Sequence, residues 1–247
     1  MLIFRLTKIS SLLMRYISTN KTWITARQIL LILLFIETLL IIIAIAKAIN
    51  RDLSPAHYFG ENRLITDVSC VQLLIGAVLS LITFWCVKSS SNLKLKQNGW
   101  FWLIVSFGLL FLAFDDAYEI HERIDLWLHS VFNIQQTNLT DLADDLIVGG
   151  YVLIFLAYVA FKWNTIQIFK SSFSFFQIGF ILTAVMVVLD ILSNNEYFVS
   201  LIIDNATTAK LIEQWLSVVE DSAKIFAEGM FVAGIYQCWQ TARKVNT

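Results

Sequence analysis

The residues that could do chemistry fall into two dense groups, and the first lies around residue 118. It holds Asp115, Asp116, Glu119, His121 and Glu122. If this stretch is one continuous helix, Asp115, Glu119 and Glu122 share a face, because they are spaced i, i+4 and i+7. Asp116 and His121 lie off that face, so side chains from other helices must complete any common site.

The second group lies near the C-terminus, inside an apolar stretch. Glu220, Lys224 and Glu228 are spaced i, i+4 and i+8, so we expect them to form a Glu-Lys-Glu stripe with Asp221 beside it. The simplest role of Lys224 is to neutralise Glu220 or a neighbouring carboxylate as a buried ion pair.

Apolar stretches must position both groups. The chain of 247 residues is 57% hydrophobic and 15% charged, whereas a soluble domain is about 25% charged. This composition excludes a soluble enzyme, a disordered chain and a disulfide scaffold, and the net charge of −1 argues against a nucleic-acid binder. Six stretches approach or exceed the length of about 18 apolar residues that can cross a bilayer. They are residues 27–49, 67–87, 100–116, 142–163, 173–192 and 211–239.

The sequence therefore predicts an all-α integral membrane protein with a bundle of six transmembrane helices. Residues 1–21 are predicted to form a cytoplasmic amphipathic helix, 22–241 the transmembrane domain, and 242–247 a cytoplasmic tail. Lys and Arg are in excess in every segment that lies inside when the N-terminus is inside, which places both termini in the cytoplasm. We expect the chain in a bacterial inner membrane.

This topology gathers acidic side chains towards the outer face. The carboxylates placed in the outer halves of the spans are Asp115, Asp116, Asp144, Asp145, Asp190, Glu220 and Asp221. Glu37 and Glu228 lie deeper, near the middle of the membrane. Ionisable groups in lipid are costly, so each is a candidate functional residue. Asp144 and Asp145 also suit a helix N-terminus.

One lysine cannot neutralise so many carboxylates, so some must be protonated or a bound cation must balance them. Oxygen-rich sites suit Mg, Ca or Mn, and an added imidazole admits Zn or Fe. We predict a divalent metal ion held by Asp115, Asp116, His121 and Glu220, with proton or monovalent cation handling as the alternative. We interpret His57 and His129 as solvated interfacial residues. Cys70, Cys86 and Cys238 have no zinc spacing.

Three segments also carry a resemblance to other proteins. Tyr58-Phe-Gly-Glu-Asn leads into the second span, Phe114-Asp-Asp-Ala-Tyr-Glu-Ile-His-Glu ends the third, and Val219-Glu-Asp-Ser-Ala-Lys lies in the sixth. In that order they resemble a set of uncharacterised bacterial multi-span membrane proteins, over most of the chain from about Tyr58 onward. This sequence has Asp116 and Asp221 where that pattern often has Glu, and the shorter side chains would alter any ligand geometry.

The resemblance implies no assigned activity, but it implies a single site formed by residues that are distant in sequence. Those residues are Glu61, Asn62, Asp115, Asp116, His121, Glu122, Glu220, Asp221 and Lys224.

Three functions fit these residues. In a metal-dependent, membrane-embedded hydrolase, a metal-bound water would be the nucleophile, Glu122 or Asp221 the general base, and Lys224 an electrostatic partner. Its substrate would be a lipid or a small molecule that arrives from the outer side. In a cation- or proton-coupled transporter, the carboxylates at two depths would form a path. In a membrane subunit or assembly factor, they would meet basic groups of a partner protein. The metal-dependent enzyme is the first prediction, and the transporter and the partner-binding subunit are the alternatives.

Overall fold

The structure, a computed structural model, consists of helices. It describes residues 24–60, 62–91, 96, 99–132, 142–193, 199, 203 and 205–245, with backbone alone at 142–149 and 165. The seven long helices of this part of the chain are α1 (Ala26–Ile49), α2 (Leu64–Lys88), α3 (Trp100–Tyr118), α4 (Ile120–Phe132), α5 (Leu142–Phe161), α6 (Phe173–Ser193) and α7 (Ala206–Lys244). No β-strand occurs in the described ranges, and the prediction of an all-helical chain is confirmed.

Local sequence explains where several helices begin. Thr25 precedes α1 and forms a capping box with Gln28, in which each side chain bonds the other residue's backbone N–H. Asn205 precedes α7, and its side chain accepts the backbone N–H groups of Thr207 and Thr208. These caps satisfy N–H groups that have no partner within the first turn of a helix.

Within the described ranges, four stretches are long and apolar enough to cross a membrane, by length and composition. They are Ala26–Ile49, Leu64–Lys88, Trp100–Tyr118 and Gln167–Ser193. In α1 the face turned away from the other helices is apolar and exposed, with Leu31 and Phe35 about two-thirds accessible, at 66% and 70%. Such faces suit contact with lipid.

The helices α5 and α7 correspond to the predicted fourth and sixth spans. The described apolar part of α5 is Gly150–Phe161, shorter than a span. The 39 residues of α7 extend about 58 Å, and its first half carries several charged side chains. The count of six spans therefore stays a prediction, as do the cytoplasmic termini. The predicted amphipathic helix at 1–21 lies outside the described residues.

The long helix α7 packs against α1, α2 and α6. It runs parallel to α2, since Ser69 of α2 contacts Glu228 and Gly76, further along α2, faces Ile235. It runs antiparallel to α6. Ser193 at the end of α6 bonds Glu220 in the first half of α7, whereas Phe176 near the beginning of α6 packs against Gly234 in the second half.

The helix α1 also runs antiparallel to α7. Its middle residue Glu37 lies against Gly229, whereas the carbonyl of Ile24, just before the helix, accepts the hydroxyl of Tyr236 at 3.0 Å. Small residues allow these close approaches. A Cβ at Gly179 of α6 would lie only 2.7 Å from the ring of Phe231, so the absence of a side chain there brings the two helices together.

The condition of one continuous helix around residue 118 is not met. Glu119 ends α3 in the left-handed conformation, with φ of 53°, and α4 begins at Ile120. The predicted face of Asp115, Glu119 and Glu122 is therefore broken, and the chain changes direction between the first and last of these residues.

Candidate functional site

A buried polar stripe runs along α2, and its first half, with Ser69 and Gln72, forms one wall of the candidate site. Ser69, Gln72, Ser80 and Thr83 lie on this otherwise apolar helix, and none of them is more than 4% exposed. Sequence reasoning that followed charges missed them. Their spacing of three, eight and three residues, with Gly76 between, was the available signal, because small and polar residues on one face of a membrane helix mark a packing interface.

An ion pair between α3 and α7 lies next to this stripe. The Lys224 ammonium donates to Asp116 Oδ1 at 2.7 Å, and the two side chains are 27% and 15% exposed. The sequence predicted that Lys224 pairs with Glu220 or a neighbouring carboxylate, and the partner is Asp116 on α3. Glu220 instead accepts the hydroxyl of Ser193 at 2.9 Å, on the side of α7 that faces α6.

The charged side chains of α7 that face the site thus differ from the predicted set. Asp221, Lys224 and Glu228, spaced i, i+3 and i+7, face the site, whereas Glu220 faces α6. Asp221 and Glu228 are buried. Because α7 is one continuous helix, the predicted Glu220-Lys224-Glu228 stripe is present, but Asp221 rather than Glu220 contacts the loop before α2.

The Ser69 hydroxyl connects the ion pair to a deeper carboxyl group. Ser69 Oγ lies 2.5 Å from Asp116 Oδ2 and 2.7 Å from Glu228 Oε1. Both are hydrogen-bond distances. A hydroxyl carries one proton and can donate to one acceptor, so the second contact needs a proton that belongs to a carboxyl group.

Glu37, on α1, contacts α7 at Gly229, one residue beyond Glu228. It is 1% exposed at the middle of α1, and its Oε1 accepts the Gln72 amide. The same oxygen rests against Gly229, where a Cβ would lie 2.4 Å away. Glu37 therefore reaches the backbone of α7 beside Glu228, and the two deep carboxylates predicted from the topology are neighbours.

A loop before α2 covers one end of these contacts. The Gly60 N–H donates to Asp221 Oδ2 at 2.6 Å, and Thr66 donates to the Gly60 carbonyl. Gly60 has a φ of 82°, which costs glycine little and other residues more. Asp221 thus fixes this loop, a structural contact that its predicted role as a general base did not anticipate.

Asn62 joins the same loop to the break between α3 and α4. Its amide donates to Glu119 Oε1, and both residues adopt positive φ, 54° and 53°. The pair links two sharp turns. Glu61, which the resemblance places beside Asn62, lies outside the described residues.

Asp115 and His121 form a second, separate contact across the break. Asp115 Oδ1 accepts the His121 backbone N–H at 3.0 Å, and Asp115 Oδ2 lies 3.1 Å from Nδ1 of the His121 ring. The carboxylate thereby anchors the first turn of α4 and orients the imidazole.

Replacing Asp115 by alanine is expected to loosen α4. Two contacts would be lost, one of them the bond from the His121 N–H, at a cost of about 1–3 kcal/mol in the free energy of unfolding. Hydrogen exchange should accelerate at the His121 amide. The matched variant Asp67→Ala, on the exposed first turn of α2, should leave that amide unchanged; equal exchange in the two variants would contradict the anchoring role.

The four predicted metal ligands do not converge. Asp115 and His121 pair with each other, whereas Asp116 contacts Lys224 and Glu220 contacts Ser193. In the part of the chain that the structure describes, no group of three or more His, Cys, Asp or Glu side chains is placed to hold a metal ion.

The other predicted residues lie at the edges of the site or beyond it. Glu122 is half-buried on α4. The Asp190 carbonyl accepts the hydroxyl of Ser193 at 3.2 Å. Asp144 and Asp145 lie in the first turn of α5, where only the backbone is described.

A buried Asp–His pair on α4 was also missed by sequence reasoning. His129 is 9% exposed and lies 3.1 Å from Asp125 Oδ2 one helical turn earlier, so its interpretation as a solvated residue is wrong. The apolar side chains of α4, such as Leu126 and Trp127, are the exposed ones. The polar face of α4 therefore points into the bundle and its apolar face points outward.

Comparison with known proteins places the chain in a family. The sequence pattern of a domain of unknown function, DUF8692, matches residues 28–238, which is most of the chain, so the chain belongs to that family. No curated protein and no solved structure matches it. The expectation of an uncharacterised family agrees with this finding.

Proposed function

We propose that this DUF8692 protein is a proton-coupled membrane transporter, in which Glu228, Ser69 and Asp116 pass protons between the middle of the helix bundle and its outer end. The supporting observation is the Ser69 hydroxyl, which contacts both carboxyl groups at hydrogen-bond distance. A hydroxyl between two carboxyl groups can accept a proton from one and release its own to the other.

The hydrogen-bond count assigns the protons. Asp116 already accepts the Lys224 ammonium at 2.7 Å, which favours its anionic form. Ser69 therefore donates to Asp116, and Glu228 is the neutral acid that donates to Ser69. Glu228 is 7% exposed, and a neutral carboxyl costs far less there than a charged one.

Membrane depth gives this relay a direction. Asp116 lies two residues from the end of α3. Glu37, which contacts α7 beside Glu228, lies twelve residues from the end of α1. Twelve helical residues span about 18 Å, or about half of a hydrocarbon core of about 30 Å. The contacts thus extend from one end of the helices to their middle.

We further propose that the chain crosses a bacterial inner membrane six times, with both termini in the cytoplasm. Helix direction supports the count. If only α1, α2, α3 and α6 crossed, α6 would run parallel to α2, since directions alternate. In the bundle α6 runs opposite to α7 and therefore opposite to α2, which supports one more crossing between α3 and α6. The helix α5 is the candidate.

Infrared spectroscopy tests the assigned proton. Purified protein at neutral pH should show the carbonyl band of a buried carboxylic acid, and Glu228→Gln should remove it. Ser69→Ala should shift the band, because the acid loses its acceptor. Ser80→Ala is the matched control, a fully buried serine on the same helix, and should leave the band unchanged. A band that survives in Glu228→Gln would overturn the assignment.

Proton movement tests the function. Proteoliposomes containing an internal pH dye should acidify under an inward proton gradient, and Ser69→Ala should slow this by about tenfold or more. Ser69→Thr keeps the hydroxyl and should retain most of the rate, as should Ser80→Ala. Equal rates in Ser69→Ala and the wild type would rule out the relay.

A metal-dependent hydrolase is the second candidate, favoured by one observation. Asp115 orients the His121 imidazole, an arrangement that often accompanies metal-binding histidines. Its substrate would be a lipid or small molecule from the outer side. Elemental analysis separates the two functions, since a stoichiometric metal that is lost in His121→Ala would favour the hydrolase over the relay.

A further inference from the structure

Among the buried oxygen atoms that lack hydrogen-bond partners within the described ranges, three belong to carboxyl or amide groups at the middle of the bundle. They are Glu37 Oε2 on α1, Gln72 Oε1 on α2 and Glu228 Oε2 on α7. Their side chains are 1%, 4% and 7% exposed. A buried polar atom without a partner costs free energy, and three together from three helices indicate that something else satisfies them.

These side chains are neighbours. Gln72 donates to Glu37, Glu37 rests against the backbone at Gly229, and Glu228 is the adjacent residue. Gln72 also lies one turn, about 4.5 Å along α2, from Ser69, which contacts Glu228. The three side chains that carry these oxygens thus form one cluster where α1, α2 and α7 meet.

All three atoms are acceptors, so they call for positive charge or for protons. Lys224 is already paired with Asp116 on the outer side of the cluster. Oxygen atoms from carboxylate and amide groups are the ligands that hard cations prefer. A small cation can contact several of them at once, whereas one proton can serve only one hydrogen bond.

We propose that Glu37, Gln72 and Glu228 bind a small monovalent cation such as Na⁺. The charge of the cluster selects the monovalent class. With Glu228 neutral, as the proposed relay requires, the cluster carries only the single negative charge of Glu37, and one monovalent ion balances it. The site therefore rests on the proposed function, and it supplies the ion to which proton movement would be coupled.

Direct binding tests the site in purified full-length protein in detergent. Radiolabelled Na⁺ should bind saturably, at about one ion per chain, and NaCl should raise the melting temperature relative to choline chloride. Glu37→Gln and Gln72→Leu should each weaken binding by about 10- to 100-fold. Glu213→Gln, a half-buried glutamate on α7 outside the cluster, should bind as the wild type does.

Two results would overturn the cation site. One is folded, monodisperse wild-type protein that binds none of Li⁺, Na⁺ or K⁺ saturably. The other is binding that Glu37→Gln leaves unchanged. The assay needs no membrane or gradient, so it fails separately from the relay. Protein that binds Na⁺ but moves no protons would refute the proposed function alone, and protein that moves protons but binds no cation would refute the site alone.

Discussion

Replacing Lys224 by methionine is expected to lower the free energy of unfolding by about 3 kcal/mol. Methionine keeps the length of the side chain and removes its charge, which leaves Asp116 without its cation. Breaking one partner of a buried pair costs about 3–5 kcal/mol, and the partial exposure of these two side chains places the expected loss at the lower end. Reversible unfolding in mixed micelles measures it.

Two further variants show whether the loss comes from the pair. Asp116→Asn combined with Lys224→Met removes both charges and should be more stable than Lys224→Met alone, since no charge is then left unpaired. Lys210→Met replaces an exposed lysine on the same helix and should change stability by less than about 0.5 kcal/mol. Equal losses in Lys224→Met and Lys210→Met would show that the pair contributes nothing.

The positions of the helices could be predicted from the sequence because the signal is local. A run of apolar residues long enough to cross a bilayer becomes a helix wherever backbone groups must be satisfied within the segment. Residues 173–192 were predicted as a helix, and α6 covers Phe173–Ser193. The exception is the end of α3, where the turn falls on Glu119 with no glycine or proline to mark it.

The partners within the site could be predicted only in part. The free-energy cost of an ionisable side chain in lipid marks Asp116, Lys224 and Glu228 individually as candidates. The structure brings these three side chains together. Which carboxylate meets the lysine depends on how α3 and α7 are rotated about their axes. Glu220 and Asp221 are adjacent in sequence, yet they face different helices, and no local pattern distinguishes them.

Neutral polar residues were missed for a different reason. Ser69 and Gln72 carry no charge, so a search based on the cost of charge in lipid passes over them. They are nevertheless the residues that join the carboxyl groups of three helices. The pattern that marks them is their common face on α2, which becomes informative when a helix is otherwise apolar.

Replacing Gly229 by alanine is expected to disrupt the deepest part of the site. The added Cβ would lie 2.4 Å from Glu37 Oε1, closer than these atoms can approach, and 3.3 Å from Oε2, which is a tight contact. Glu37 is fully buried and held by Gln72, so its carboxylate cannot move without losing that bond. Overpacking of this kind costs about 1–3 kcal/mol, which outweighs the gain of up to about 1 kcal/mol from alanine in a helix. Na⁺ binding should weaken by about tenfold or more.

Gly108→Ala separates the steric effect from helix propensity. Gly108 lies on an exposed face of α3, and nothing lies within 4 Å of the position its Cβ would occupy. Alanine there should stabilise the protein by up to about 1 kcal/mol and leave Na⁺ binding unchanged. If Gly229→Ala behaved like Gly108→Ala in both unfolding and Na⁺ binding, Glu37 would not be held against α7, and the close contact that brings it beside Glu228 would lose its support.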